Sequence, residues 1–216
     1  MRCLVVLALA ACGGTPKPAS TESGRPPYLA LLQHGQRWSL PIETVNGEHR
    51  GDAWAATSTE RGALTCEVAD VKTIADATMS HVQCAPPYAG LLVVGYWVAT
   101  PAGLYHPALP VDDVDELTLL GENDLLLTAK PKEREHSQAT AGMQHAIEAF
   151  RFKQSWCMRD AVVTEEDRRH FTLCVDGSGM TGGGELVVSG TDHSWHRSTF
   201  GVVADDPDDP TTGHDD

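Results

Sequence analysis

Residues 63–84 read ALTCEVADVKTIADATMSHVQC, and this stretch predicts a disulfide-linked β-hairpin. Cys66 and Cys84 each lie in a run where apolar and polar residues alternate, which is the pattern of a strand with one buried face. If the chain folds back near Ala75, the two cysteines face each other on the apolar side. Facing residues of an antiparallel pair are about 4.5 Å apart at Cα when they are not hydrogen-bonded, which is close enough for a disulfide.

A second pair of cysteines predicts a second hairpin of the same kind. Pairing Cys157 with Cys174 places Met158 opposite Leu173 and leaves the polar segment 164–167 as the turn. An even number of cysteines in an exported chain favours disulfides. A zinc site is the alternative, but zinc ligands usually come in cysteine pairs about two to four residues apart, and these are spaced much more widely.

The N-terminus has the pattern of a secretory signal. Arg2 precedes an apolar run that ends in Leu9-Ala10-Ala11-Cys12. This ending resembles the lipobox of bacterial lipoproteins, in which the signal peptide is removed before the cysteine. The resemblance implies that residues 1–11 are a signal peptide and that Cys12 carries the lipid anchor. Since Gly13 and not Asp follows Cys12, it also implies the outer membrane, on its periplasmic or surface face.

Composition divides the rest of the chain into three parts. Residues 12–27 are rich in Pro, Gly and Ser and predict an anchor with a disordered tether. Residues 28–203 predict one β-rich domain. Residues 204–216 contain six Asp, no base and no large apolar side chain, and predict a disordered acidic tail.

The domain shows many short strand patterns separated by Gly and Pro. We therefore expect a mainly β fold, a single curved antiparallel sheet forming a half-barrel or sandwich, with at most one or two short helices. Segments 28–45 and 99–105 also resemble exported half-barrel lipoproteins of the lipoprotein-carrier type, which implies the same fold. The predicted strands are 37–45, 53–59, 63–71, 78–84, 91–100, 116–120, 124–129, 149–158, 170–175 and 185–189.

Three segments bear on the connections between strands. Residues 137–149 favour either a helix capped by Ser137 or a long polar loop. Asn46-Gly47 predicts a turn, and the glycine-rich stretch 178–184 predicts a hairpin loop instead of a phosphate cradle, because a strand pattern follows it.

Candidate metal ligands are few and weakly patterned. Asp192, His193 and His196 form the best cluster, but no third ligand is defined by spacing, and surface histidines near a turn are the simpler interpretation. The acidic segments 112–116 and 176–179 could offer oxygen atoms to calcium, yet neither matches an EF-hand loop, so we favour solvated acidic loops. We predict no cofactor.

Function is constrained mainly by charge and location. The formal net charge of −14 argues against a nucleic-acid partner, because such binding needs a basic face. The sequence contains no recognisable catalytic motif, so we expect a non-enzymatic envelope binding or structural lipoprotein with an unidentified protein, glycan or lipid partner. The alternatives are a hydrolase acting on envelope material and a half-barrel carrier of a lipophilic ligand. The five tryptophans are expected in the core, with a ligand-binding platform as the alternative.

Overall fold

The computed structural model describes residues 26–50, 53–85 and 94–202. The predicted signal peptide, Cys12, most of the predicted tether and the predicted disordered tail lie outside the described residues, so these remain predictions. No helix in the described part of the chain is long and apolar enough to cross a membrane.

The described chain forms a mainly β fold, as predicted. A short 3₁₀ helix, η1 (Leu29–Leu32), precedes the strands, and a short helix, α1 (Val114–Leu117), lies between β5 and β6. The strands are β1 (Arg37–Arg50), β2 (Ala53–Ile74), β3 (Ala77–Ala85), β4 (Gly95–Ala99), β5 (Gly103–Tyr105), β6 (Leu125–Thr128), β7 (Arg134–Thr140), β8 (Met143–Phe152), β9 (Ser155–Thr164), β10 (Asp167–Asp176), β11 (Gly179–Ser189) and β12 (Ser194–Gly201).

The described strands form one curved, antiparallel, 12-stranded half-barrel. The order is β6-β5-β4-β3-β2-β1-β12-β11-β10-β9-β8-β7, so two six-strand meanders meet where β1 pairs with β12. The curvature brings β6 close to β8 and β9. Each meander contains one of the predicted cysteine hairpins.

Both predicted disulfides are confirmed, together with their strand registers. Cys66 pairs with Cys84 and Cys157 with Cys174, each pair with a Cα–Cα distance of 4.0 Å. The first hairpin turns at Ala75, whose φ of 51° is in the left-handed region. Cys66 is part of the concave core. At the second disulfide, the concave core contains the neighbouring residues Met158 and Leu173 and not the cysteines themselves. Because strand residues alternate in direction, the second disulfide lies on the opposite face.

The concave side of the sheet is filled by side chains of the chain itself. Leu31 of η1 is fully buried there with Trp97 and Phe200, which come from the two meanders. The Ser80 hydroxyl donates to the Leu31 carbonyl oxygen at 2.7 Å and links η1 to β3. A smaller apolar cluster lies on the other face and includes Met79 and Val98.

The segment 137–149 is neither a helix nor a loop. It contributes to β7 and β8, which form a hairpin turning at Gly142 with φ 78°. The alternation that places Ile147 and Ala149 in the core outweighs the helix propensity of Ala, Met, Gln and Glu. The predicted strand 149–158 is also wrong as a single element, because a turn with Lys153 at φ 55° separates β8 from β9.

The predicted strand 116–120 is instead part of α1 and the turn after it. The Asp113 carboxylate accepts a hydrogen bond from the Glu116 backbone N–H at 2.9 Å, and this N-cap starts the helix. The acidic segment 112–116 is therefore largely a capped helix start. The Lys72 ammonium lies 3.0 Å from the Asp112 carboxylate and neutralises part of its charge.

Other parts of the strand prediction also differ from the structure, and β5 and β12 were not predicted at all. The predicted strands 53–59 and 63–71 are one continuous strand, β2, and β4 begins only at Gly95, with 91–93 outside the described residues. Asn46-Gly47 is a β-bulge inside β1 and not a turn. There is no room for a Cβ at Gly47, because the Trp195 indole would lie 2.0 Å from it.

The glycine-rich stretch is mostly strand. Gly182, Gly183 and Gly184 belong to β11, and the turn lies earlier, at Gly177 and Ser178. A Cβ at Gly183 would lie 2.4 Å from the Thr172 carbonyl oxygen and 2.6 Å from the Phe200 ring. These positions are glycine because neighbouring atoms pack too closely for a side chain, and not because a turn requires glycine.

Candidate functional site

A cleft of about 720 Å³ opens at the end of the half-barrel beside η1. One side consists of η1 and the residues around it, from Pro26 to Gln36. The other side consists of the β8–β9 turn, the β10–β11 turn and Pro131. We call it the tether-side cleft, because Pro26 and Pro27 lie in its wall at the beginning of the described domain.

An arginine stacked on a tryptophan is the main cationic and aromatic feature of this cleft. Arg151 and Trp156 are directly opposite each other in the β8–β9 ladder, so their side chains lie on the same face. The Arg151 guanidinium carbon is 5.3 Å from the centre of the Trp156 ring. This cation–π contact holds the guanidinium at the cleft without neutralising it.

The remaining polar groups of the cleft are mostly neutral. Gln33, Gln36 and Gln154 supply side-chain amides, each with donor and acceptor capacity. The Asp176 carboxylate accepts hydrogen bonds from the Ser178 backbone N–H at 2.8 Å and the Ser178 hydroxyl at 2.6 Å. The acidic segment 176–179 thus closes the β10–β11 turn and directs its carboxylate to its own backbone.

A chain of hydrogen bonds crosses β2, β1 and β12 near the opposite end of the sheet. His196 Nδ1 lies 2.8 Å from the Asn46 side-chain oxygen, and His196 Nε2 lies 3.0 Å from the Ser198 hydroxyl. Asn46 donates to the Ser58 hydroxyl at 3.1 Å, and the Thr44 hydroxyl lies 3.0 Å from that of Ser198. With a proton on Nδ1, neutral His196 donates to Asn46 and accepts from Ser198.

The order serine, histidine and asparagine matches the arrangement of a nucleophile, a base and an orienting group. However, Ser198 is fully buried with a relative exposure of 0%. A nucleophile must reach the substrate carbonyl. The Ser198 hydroxyl cannot do so, because it is enclosed and hydrogen-bonded with the Thr44 hydroxyl. A half-open trough of about 270 Å³ borders His196 and Asn46 but is not lined by Ser198. We interpret this chain of hydrogen bonds as a polar network that stabilises the sheet.

The predicted cluster Asp192, His193 and His196 is not brought together as a ligand set. His193 is an exposed turn residue with φ 50°, and its carbonyl accepts from the His49 backbone N–H. His196 is bound instead to Asn46 and Ser198, and the Asp192 backbone N–H donates to Ser189. The described residues contain no group of three or more His, Cys, Asp or Glu side chains suited to a metal ion.

The sequence did not indicate a histidine and aspartate contact that the fold creates. His145 Nε2 lies 2.7 Å from the Asp160 carboxylate, and both residues are partly buried.

His106 follows β5 and contacts the Trp97 ring edge-on, with 4.7 Å between the ring centres. The His106 Nε2 atom lies 3.2 Å from the Val94 carbonyl oxygen. Burial lowers the pKa of His106, while the Val94 carbonyl and the charge of Asp160 partly oppose that shift.

No sequence pattern indicates that His145, Asp160 and His106 form these contacts. His145 and Asp160 become neighbours through the register of β8 and β9, and 137–149 was not expected to contain a strand.

The expectation that tryptophans occupy the core holds for Trp38, Trp97 and Trp195, which are buried. Trp156 is partly buried, because it packs against the core and also lines the tether-side cleft. Neither a protein-family model nor a curated protein matches this chain.

Proposed function

We propose that this protein is an outer-membrane lipoprotein, anchored through Cys12, that acts as a non-enzymatic binding module of the envelope. Its binding surface is the tether-side cleft. The observation that carries the proposal is the filled concave side of the half-barrel, which leaves binding to surface groups. Leu31, Trp97 and Phe200 occupy the space that a lipophilic cargo would need.

This filling argues against the carrier alternative. A carrier needs an apolar cavity that empties and refills, whereas η1 is packed into the concave side and hydrogen-bonded to Ser80. The tether-side cleft and the trough beside His196 are both half open, and their linings mix apolar residues with polar groups that include Arg151 and His196. An acyl chain would cover these polar groups without hydrogen-bonding to them, so we favour a polar ligand.

The hydrolase alternative has weaker support. A pair of catalytic carboxylates requires two acids facing one cleft at a suitable separation, and Asp176 in the tether-side cleft is bonded to its own turn. The serine in the His196 network is buried. These placements favour a binding role over catalysis.

The position of the cleft fits a tethered binder. The chain enters the described domain at Pro26, in the cleft wall. Residues 12–25, if fully extended, span at most about 45–50 Å. A ligand in the cleft would therefore lie within that distance of an anchor at Cys12, and several acyl chains at one cysteine hold a protein stably on a membrane.

The anchor is tested by comparing the full-length protein with Cys12→Ala in a bacterial host that has an outer membrane. We expect the wild-type protein in the outer-membrane fraction with an acylated N-terminal peptide beginning at Cys12, measured by mass spectrometry. Cys12→Ala should lose both acylation and membrane association. An unmodified Cys12 in the wild-type protein would refute the anchor.

The binding role is tested on the same purified wild-type protein by native mass spectrometry and with a fluorescent lipid probe. We expect no stoichiometric lipid cargo and no saturable binding of the probe, because the concave side is filled. A bound lipid released by denaturation would favour the carrier instead.

A further inference from the structure

We propose that the tether-side cleft binds an acidic saccharide, meaning a sugar ring that carries a carboxylate or a phosphate. This proposal rests on the proposed function, because it names the ligand class of the same cleft. Two arginines favour a negative charge on the ligand, and the neutral groups around them favour a sugar.

Arg151 differs from most arginines of the domain in lacking a carboxylate partner among the described residues. Its guanidinium stacks on the Trp156 ring, and the residue is exposed at the cleft. Five other arginines form ion pairs: Arg37 with Glu67, Arg50 with Glu48, Arg61 with Glu43, Arg159 with Glu148 and Arg169 with Glu185. In a chain with a net charge of −14, a cation that remains unpaired at a cleft is available to an external anion.

A second arginine lies beside it on the same sheet face. Arg134 of β7 is opposite Ala149, two residues from Arg151 along β8. Diagonal neighbours of this kind are about 7–8 Å apart. The Nη2 atom of Arg134 is buried and has no hydrogen-bond partner among the described residues. Arg134 does not line the cleft itself, but as a diagonal neighbour its charge adds to the positive potential around Arg151.

Among the described residues, the cations beside the cleft outnumber the one carboxylate that lines it, that of Asp176. The Ser178 N–H and hydroxyl fix this carboxylate in its own turn, but they are neutral donors and leave its negative charge in place. Glu135 follows Arg134 in β7, so its side chain lies on the opposite face of the sheet. Lys153, which stacks on Phe152 at 5.1 Å, adds another positive charge at the β8–β9 turn.

The neutral lining favours a sugar over a bare anion. The amides of Gln33, Gln36 and Gln154 can each donate to and accept from hydroxyl groups, which a sugar ring supplies in number. Trp156 adds an apolar ring edge beside the cation. The cleft volume of about 720 Å³ also exceeds what a single ion occupies and lies in the range of about 300–1,000 Å³ that is usual for ligand pockets.

The test uses the full-length protein in a neutral detergent and follows the indole N–H signal of Trp156 by two-dimensional NMR. The signal is assigned from its loss in Trp156→Phe. The probes are glucuronate, glucose 6-phosphate, glucose and inorganic phosphate. We expect one or both acidic sugars to shift the signal saturably, and glucose and phosphate alone to bind at least tenfold more weakly. The two acidic sugars distinguish a carboxylate from a phosphate as the recognised group.

Matched variants locate the charge contact. Arg151→Gln should weaken binding of the acidic sugar at least tenfold, to the level of glucose, while the other indole signals stay in place and report an intact fold. Arg61→Gln removes the same charge from a paired arginine on another part of the sheet and should leave the affinity unchanged. Equal affinity for glucose, or for phosphate alone, would overturn the proposal, as would an unaltered affinity in Arg151→Gln.

The acidic tail is tested as a competing occupant. A variant with Asp205, Asp206, Asp208 and Asp209 changed to Asn should bind the acidic sugars with wild-type affinity. Binding that appears only in this variant would assign the cleft to the tail of the same chain and overturn the proposal. Membrane anchoring through Cys12 is measured separately, so failure of sugar binding is distinguishable from failure of the anchor.

Discussion

At the scale of single residues, glycines determine how closely the strands and rings of this sheet approach each other. Gly47 admits the Trp195 indole, and Gly183 admits both the Thr172 carbonyl and the Phe200 ring. A methyl group at either position would overlap atoms that cannot move independently of the sheet. Gly62 differs, because a Cβ there would meet only the Ile42 side chain at 3.8 Å, which is ordinary contact.

This difference predicts opposite effects of the same substitution. Gly183→Ala should lower the free energy of unfolding by about 1–3 kcal/mol, since overpacking forces the neighbouring strand or ring to shift. Gly62→Ala should be neutral or stabilising by up to about 1 kcal/mol, because it restricts only the unfolded chain. Urea unfolding measures both, and equal losses in the two variants would contradict the contact geometry.

At the scale of elements, η1 matters more than its length implies. A four-residue 3₁₀ helix has little stability of its own. Its position is held by burial of Leu31 in the concave core and by the hydrogen bond from Ser80. The element therefore forms part of the core and one wall of the tether-side cleft.

Truncating its buried side chain tests this role. Leu31→Ala should cost about 2–5 kcal/mol, as expected for a fully buried leucine whose cavity cannot collapse. Leu109→Ala is the matched control, because Leu109 is 75% exposed, and its effect should stay within about 0.5 kcal/mol. Denaturant unfolding measures both changes. If the two variants lose similar stability, η1 is not part of the cooperative core.

At the scale of the whole molecule, the two meanders meet twice: through the β1–β12 pairing and where the curvature brings β6 to β8 and β9. His106, beyond β5, lies near this second contact and is influenced by the charge of Asp160 on β9. Burial lowers its pKa, so the folded protein holds this histidine neutral at pH values where an unfolded chain would protonate it.

The sign of the pH dependence follows from this shift. Below the unfolded pKa of about 6.5, the unfolded state binds more protons at His106 than the folded state, so stability falls as pH falls through that range. One such proton contributes at most about 1.4 kcal/mol per pH unit. Urea unfolding between pH 7 and pH 5 should therefore show a shallower loss in His106→Gln than in the wild type. The exposed His34→Gln is the control, and an unchanged slope in His106→Gln would contradict the role of burial.

How much of this molecule was predictable depends on the range of the interactions. The alternation around Cys66, Cys84, Cys157 and Cys174 is local, and it was sufficient to predict both hairpins and both disulfides. The strand patterns along the rest of the domain predicted a mainly β sheet but left a half-barrel and a sandwich open. The segment 137–149 was not predictable, because its helix-forming residues become strand only when a sheet edge is present to pair with.

The cleft illustrates the same limit. Arg151 and Trp156 are separated by a turn that the sequence pattern did not reveal, and their stacking requires the β8–β9 register. The contact of His145 with Asp160 requires that register as well. The sequence alone determined the strand alternation, the cysteine pairing and the charge balance, since each of these depends on neighbours along the chain. Only the tertiary structure decided that the concave side is filled and that Arg151 lies at the tether-side cleft without a carboxylate partner among the described residues. Curvature and register bring together residues that no local pattern links.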